Sequence, residues 1–364
     1  MRIETLSAAT EPAYAELLSQ TPGAMLFHSL RYRSFLSRFL GPGTYDRYLL
    51  AFSSDGALVG ALPAFVKENS RYGPVVNSLP FVGSNGGFLV APGAPEDEVR
   101  RALAAAFVEM CDALGAASST IINAPLDPQD EAYEQLTQFT TDDDRIGQIT
   151  PLPSLPEGAS DEVIDRSLMA MIHTKTRNVV RKAMTSDVII THSGEPAAMR
   201  ALYETHQDNM VAMGATPKPW AVFEAVMECF RYDEDYRVYI ATKDGQFIGG
   251  LLVFYFNRIA EYFTPVTVAA SRIFQPQSLI CLHAMREGIK RRCTHWNWGG
   301  TGKSQTGVYQ FKSRWGTTDF RYRYFVRERD DRILRTLDAK TLLEEYPYFY
   351  AIPFHNLITA KDPR

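Results

Sequence analysis

From Trp296 to Gly316 the chain reads Trp-Asn-Trp-Gly-Gly-Thr-Gly-Lys-Ser-Gln-Thr-Gly-Val-Tyr-Gln-Phe-Lys-Ser-Arg-Trp-Gly, mixing aromatics, glycines, hydroxyls and cations where a plain core strand needs none. Its glycines let the backbone approach a ligand closely. Lys312 beside such an opening is suited to stabilising the oxyanion that forms when an acyl carbonyl is attacked, or it is a solvated strand lysine. Arg314 offers a planar fork for a carboxylate or phosphate, and Lys303 a flexible charge for anion capture. Trp296, Trp298, Tyr309, Phe311 and Trp315 either line a channel for a long acyl chain or pack the core. Asn297 is either a bonded structural amide or a substrate contact.

Two further clusters belong in this reading. Lys175-Thr-Arg-Asn-Val-Val-Arg-Lys182 carries Arg177 and Arg181 on one helical face, fit for phosphate or the 3′ end of an RNA, or simply solvated. The loop Phe81-Val-Gly-Ser-Asn-Gly-Gly-Phe88, with Asn85 and Gly86 at its centre, either wraps a substrate with backbone amides or forms a tight turn. The seven histidines lack metal-ligand spacing, so no metal is expected. Neither a G-x-S-x-G elbow nor a G-x-x-x-x-G-K-[ST] loop is present.

The elements that must position these residues follow from patterning. A chain of 364 residues with 45% apolar and 22% charged residues suits two globular domains. The net charge of -4 gives no general attraction to nucleic acid or anionic membrane, so any anion site is local. Four unpaired-looking cysteines at 111, 229, 281 and 293, and no apolar run long enough to span a membrane, point to a cytoplasmic protein.

Strands are expected at Arg47 to Ser53 and Leu58 to Val66 as a hairpin, then a helix from Glu96 to Leu114 feeding a strand at Ser119 to Asn123. Prolines at 151, 153 and 156 mark Gly147 to Gly158 as an irregular linker. Beyond it come one helix from about Asp161 to Met184, with Leu168, Ile172, Val179 and Ala183 inward, and another from Pro196 to Met213. A hairpin around Lys243-Asp-Gly-Gln246, a strand near Ile259 to Val266, a helix from Pro276 and a strand from Thr294 to Trp298 complete the second half.

Taken together, Phe27-His-Ser-Leu-Arg-Tyr-Arg-Ser-Phe-Leu36, Leu79-Pro-Phe-Val-Gly-Ser-Asn-Gly-Gly87, Thr174-Lys-Thr-Arg-Asn-Val-Val-Arg-Lys-Ala183 and Gly307-Val-Tyr-Gln-Phe-Lys-Ser-Arg-Trp-Gly316 resemble the Fem-type branch of the GNAT acyltransferase superfamily. The resemblance implies an α/β (α+β) chain of two tandem GNAT-like domains, each a mixed, mostly antiparallel sheet flanked by helices. These would be residues 1–150, completed by 330–364, and 160–329. It implies N-acyl transfer to an amine on a small molecule or glycan-linked, cell-envelope precursor, with Lys312 stabilising the oxyanion. The substrate would be held by Asn85, Gly86, Arg177, Arg181, Trp298, Tyr309 and Arg314.

The donor would be acyl-CoA (acetyl-CoA) on the helix start at Gln277 and Ser278, or an aminoacyl-tRNA on the basic helix. The pyrophosphate turn usual in CoA-dependent domains has no glycine here, in Arg272-Ile-Phe-Gln-Pro-Gln277. The chain carries no integral membrane segment but would contact a membrane-linked precursor peripherally. A non-catalytic protein binding a glycan precursor in the same groove is the alternative class.

Overall fold

The computed structural model describes residues 1–80, 85–127, 130–136, 138–302 and 305–353. The chain forms two compact units, Met1–Arg145 together with the chain from Arg321 onward, and Ile146–Phe320. The partition falls within two strands and not at the proline-rich run. Residues 147–151, expected as linker, pair with the strand that begins at His295, and Pro151 stands only at the end of that ladder. A proline at a strand terminus leaves the interior hydrogen bonds intact.

In the first unit the order is β1 (Arg2–Thr5), α1 (Glu11–Gln20), α2 (Leu30–Leu40), β2 (Thr44–Asp46), β3 (Leu49–Phe52), β4 (Leu58–Leu62), β5 (Phe65–Lys67), β6 (Val75–Ser78), β7 (Leu89–Val90), α3 (Glu96–Ala113), β8 (Ser118–Ile122), α4 (Asp130–Leu136) and the start of β9 (Thr141–Pro151). The hairpin expected at 47–66 is β3 with β4, in a four-stranded antiparallel sheet with β1 and β7. Its far end departs as β5, which pairs β2 and β6 instead. Val99, Leu103, Phe107 and Cys111, at helical spacing along α3, close the core over this sheet.

The second unit contains α5 (Asp161–Met171), α6 (Thr174–Met184), β10 (Ile189–Ser193), α7 (Pro196–Ala212), α8 (Trp220–Cys229), β11 (Tyr236–Lys243), β12 (Gln246–Phe256), β13 (Ile259–Thr267), α9 (Pro276–Lys290), β14 (His295–Thr301), α10 (Thr306–Ser313) and the start of β15 (Thr318–Glu328); α11 (Ala339–Glu345) returns to the first unit. β10 to β13 form an antiparallel meander, β14 lies parallel to β13, and β9 pairs β14 antiparallel. The single helix expected over 161–184 is two, because Ile172 and His173 adopt extended backbone and the His173 ring caps α6 by accepting from Lys175 N at 3.1 Å. The break shifts the inward face of α6 to Thr176, Val180 and Ala183, leaving Val179 half-buried.

The core of this unit is aromatic as much as aliphatic. Leu251, Val253, Ile280, Leu282 and Met285 surround Trp296, Trp298 and Trp315. Arg286 of α9 clamps α5 through Asp165, at 2.7 Å and 2.8 Å, and Asp161 at 3.0 Å.

Gly249 of β12 keeps β13 in register: a Cβ there would meet the Val266 carbonyl oxygen at 2.9 Å. Gly249→Ala must therefore displace backbone, and chemical denaturation should register a loss of about 1–3 kcal/mol.

Candidate functional site

The site grows from a fork between two parallel strands. β13 and β14 pair only over Ile259–His295, Ala260–Trp296 and Glu261–Asn297. Past Glu261 the first strand stays with β12, whereas Gly300 and Thr301 of the second pair Gly147 and Ile146 of β9. A bulge sharpens the divergence, since Leu252 and Val253 oppose Thr264 and Tyr262 and leave Phe263 as the extra residue. In β14, Gly299 takes φ of 69°, a conformation that favours glycine.

On one face of the fork root, Phe254 stands opposite Glu261 in register and meets Phe263 edge-on at 5.1 Å. Glu261 is 3% exposed. Asn297 donates from Nδ2 to its Oε2 at 2.7 Å, while Oε1 has no hydrogen-bond partner among the described residues. Burial pushes the carboxyl up to about 8, and the Asn297 hydrogen bond opposes that rise. Asn297 also accepts from Gly299 N at 2.9 Å, so it both shapes the β14 turn and orients the carboxylate.

Along the β14 limb, α10 brings in Lys312, which is buried. Its Nζ donates to Gly300 O at 3.2 Å and Thr301 Oγ1 at 2.9 Å. Thr301 in turn donates to Gln148 Oε1 at 3.3 Å. Burial alone pulls the amine down to about 8, and among the described residues no carboxylate pairs with it. An ammonium has three N–H donors, so one is available to an incoming oxygen.

The other expected contacts are distributed around this centre. Trp298 is 2% exposed, donates from Nε1 to Thr150 Oγ1 at 2.9 Å, and packs its ring on Tyr262, Trp296, Trp315 and Phe311. It is thus a core residue that braces the fork. Tyr309 donates its hydroxyl to Asp319 at 2.6 Å on the surface of the α10 turn. The Arg314 carbonyl accepts from His173 N at 2.8 Å, which sets Arg314 beside the first turn of α6. Arg177 and Arg181 lie along that helix; Arg177 donates to Thr174 Oγ1 at 3.1 Å, and neither is ion-paired among the described residues. Lys303 lies outside the described residues.

The start of α9 does not form an open diphosphate cradle. Gln275 holds the left-handed turn (φ 55°) with a full side chain, and the buried Pro276 supplies no N–H. Ser278 N is bonded to Gln275 O at 3.1 Å. The Gln277 amide is turned onto Gly250 O at 2.7 Å and Val266 O at 2.9 Å, and Ser278 is buried. Pro276 and Ser278 therefore offer no free N–H to a pyrophosphate at this helix start.

In the first unit, Asn85 is buried and donates to Asn123 O at 3.1 Å. Gly86 donates to Ile122 O at 2.8 Å and its carbonyl lies 3.2 Å from His28 Nε2. A Cβ at Gly86 would fall 2.1 Å from Ser78 O. These bonds lock the described half of the loop, while Phe81 to Ser84 lie outside the described residues.

Two groups escaped the sequence reading. Glu261 was visible as the lone carboxylate inside the otherwise apolar Ile259-Ala-Glu-Tyr-Phe run. Lys218, between Pro217 and Pro219, sends Nζ to Thr264 Oγ1 at 3.0 Å and over the Phe263 ring, and burial pulls it down to about 8. Among the described residues no group of three or more His, Cys, Asp or Glu is placed to hold a metal, and no helix is long and apolar enough to cross a membrane.

Residues 172–313 match the acetyltransferase (GNAT) domain family. None of the curated proteins matches. Among solved structures, FemX superposes with a TM-score of 0.71 at 14% identity, covering 89% of this chain and 97% of its own. A tandem GNAT protein from the clavulanic acid biosynthesis pathway gives 0.52 at 15%, covering 90% and 98%. The C-terminal domain of a putative lysylphosphatidylglycerol synthetase from Agrobacterium fabrum gives 0.52 at 11%, covering 92% and 96%. At these identities the likeness is one of fold, and it is the tandem GNAT-like fold expected from the motifs.

Because the Lys312 amine is depressed in the folded state, its charged form costs stability at neutral pH, and the cost disappears as pH rises past the ordinary lysine value. Lys312→Met should therefore raise unfolding free energy at pH 7 by on the order of 1–3 kcal/mol. The gain should shrink between pH 8 and pH 10.5, as read from denaturant titrations across that range.

Proposed function

We propose that this chain is an acyltransferase of the Fem-like GNAT branch, and that its second unit transfers an acyl or aminoacyl group from an activated ester or thioester to an amine. The observation that carries this is the buried Lys312 amine, held by Gly300 O and Thr301 Oγ1 with no carboxylate among the described residues to neutralise it. A buried cation without a partner is costly, and the natural compensation is an oxyanion arriving in the reaction. As the amine attacks, the carbonyl π pair moves to oxygen and the free N–H of Lys312 donates to it. Collapse re-forms the carbonyl and expels the carrier's oxygen or sulfur, with no covalent enzyme intermediate.

Two observations bear on the donor. The side-chain-filled turn before α9 speaks against a carrier held there by its diphosphate, and so against acetyl-CoA bound in the usual manner. Lys175, Arg177, Arg181 and Lys182 on α6 are without ion-pair partners among the described residues, with Arg314 beside the start of that helix. This favours a phosphate-rich carrier such as an aminoacyl-tRNA. We take the acceptor to be an amine on a cell-envelope or polysaccharide precursor, met in the cytoplasm or peripherally at the membrane face. The four free cysteines agree with a reducing compartment.

Purified protein should form amide product from one donor among acetyl-CoA and aminoacylated bulk tRNA, with glucosamine or Nα-acetyl-lysine as acceptor, read by mass spectrometry. Lys312→Met should lose about 10² to 10³ in turnover. Full activity in that variant would remove Lys312 from the mechanism. Acetyl-CoA should give no saturable heat of binding, whereas tRNA binding should weaken steeply between 50 and 200 mM salt. Tight CoA binding would reverse the donor assignment.

A further inference from the structure

Lys312 can stabilise an oxyanion only as an ammonium. Burial favours the neutral amine instead, and a threonine hydroxyl beside an amine can donate as readily as accept. What lies behind the Thr301 hydroxyl decides between the two. Gln148 of β9 is wholly buried. It is the one residue opposite Trp298 and Gly299, where the ladder shifts between the pairs Asn297–Ile149 and Gly300–Gly147. Its Nε2 donates to Tyr309 O of α10 at 3.4 Å, and its Oε1 accepts from Thr301 Oγ1 at 3.3 Å. Both bonds are at the long end of the range, and what they impose is direction.

A backbone carbonyl can only accept, so Tyr309 O turns the NH₂ of the amide toward itself and the amide oxygen toward Thr301. That oxygen also can only accept, so the Thr301 proton points away from the lysine, and a lone pair of Oγ1 faces Nζ at 2.9 Å. Gly300 O, at 3.2 Å, is a second pure acceptor. Both contacts of Nζ thus call for a donor. Because Tyr309 lies one turn before Lys312, the same amide also pins α10 to β9.

We propose that Gln148 is a positioning residue for Lys312: acting through Thr301, its amide fixes the direction of the chain Lys312–Thr301–Gln148–Tyr309 and so keeps the amine in its donating, protonated form. The consequence for turnover rests on the acyl-transfer reading; the consequence for the amine does not. Removing the amide frees the Thr301 hydroxyl to turn and donate to the amine, a bond that only the neutral amine can accept. Lys312 would then give up its proton at lower pH.

The ionisable groups on the elements around Lys312 are Tyr309 of α10 with its partner Asp319, Arg314 after α10, His173 and Lys175 at the start of α6, His295 of β14 and Glu261 of β13; β9 has none from Ile146 to Pro151. None of them governs the amine, which burial alone pulls down to about 8. The rate should therefore fall as pH rises past about 8 in wild type.

The test is kcat and KM against pH for the donor and acceptor pair that yields product, in wild type, Gln148→Met, Gln148→Glu, Thr301→Val and the double variant Gln148→Met with Thr301→Val. Gln148→Met should match wild type on the acid side of the falling limb and lose about tenfold in kcat on its alkaline side, with both KM values near wild type. A merely structural role would lower the rate at every pH. Gln148→Glu keeps an oxygen for Thr301 to donate to, and should leave the limb in place or move it to higher pH. Thr301→Val should itself move the limb to lower pH, and adding Gln148→Met should move it no further, because the amide acts through that hydroxyl.

An unmoved limb in Gln148→Met, or a further shift when residue 301 is already valine, overturns the assignment while leaving Lys312 and acyl transfer standing. No product from wild type with any pair overturns the acyl-transfer reading, and NMR then judges the chain by itself. In protein carrying ¹³C-labelled lysine, the Cε resonance that is missing from Lys312→Met should titrate near 8 in wild type and at lower pH in Gln148→Met. Coincident titrations in the two proteins contradict the proposal.

Discussion

Burying an ionisable group without an opposite charge costs free energy, and the second unit does so at Lys312 and again at Glu261, burial shifting each toward its neutral form. Neither group is explained by packing. A methionine would fill the volume of the lysine and a glutamine that of the carboxylate, each with less desolvation. What both share is the fork between β13 and β14, one at its root and the other on a limb. The aromatic core behind β14 and the bulge in β13 brace the two limbs of that fork.

The aromatic cluster supplies much of it. Trp296, Trp298 and Trp315 are almost wholly inaccessible and lie against α9 and Tyr262, so the face of β14 away from Asn297 is solid core. Large aromatic surfaces contribute burial with few lost rotamers. Thr150 ties this core to the site's backbone by accepting from Trp298 and donating to Trp315 O at 3.0 Å. The limb carrying Gly300 and Thr301 is thereby fixed from behind, and the Lys312 amine has rigid acceptors. The β13 limb is fixed differently, by the bulge at Phe263 and by Gln277 bridging Gly250 O and Val266 O.

Much of this was legible before any coordinates. The alternation in 236–267 and the proline that opens α9 placed the strands and that helix, because each signal is local, whereas Lys312 lies in the short helix α10 and not on a strand. What failed was not local. Residues 147–151 look like linker by their composition, yet they gain a ladder with β14 that only the folded chain provides. The helix break at Ile172 and His173 carries no glycine or proline to announce it. Trp298 has a residue type equally suited to channel and core, and only its 2% exposure decides in favour of core. Glu261 went unassigned because a carboxylate in a strand is silent until its neighbours are known.

The central claim is that the protonated Lys312 amine stabilises developing negative charge. It is tested most directly by replacing Lys312 with cysteine and alkylating that thiol with 2-bromoethylamine, which restores an amine of the same length but lower basicity; the native thiols at 111, 281 and 293 are buried. The account predicts an inactive cysteine variant that regains turnover on alkylation, with the falling limb of its pH profile moved to lower pH. Recovery with that limb unmoved, or a cysteine variant as active as wild type, would contradict it.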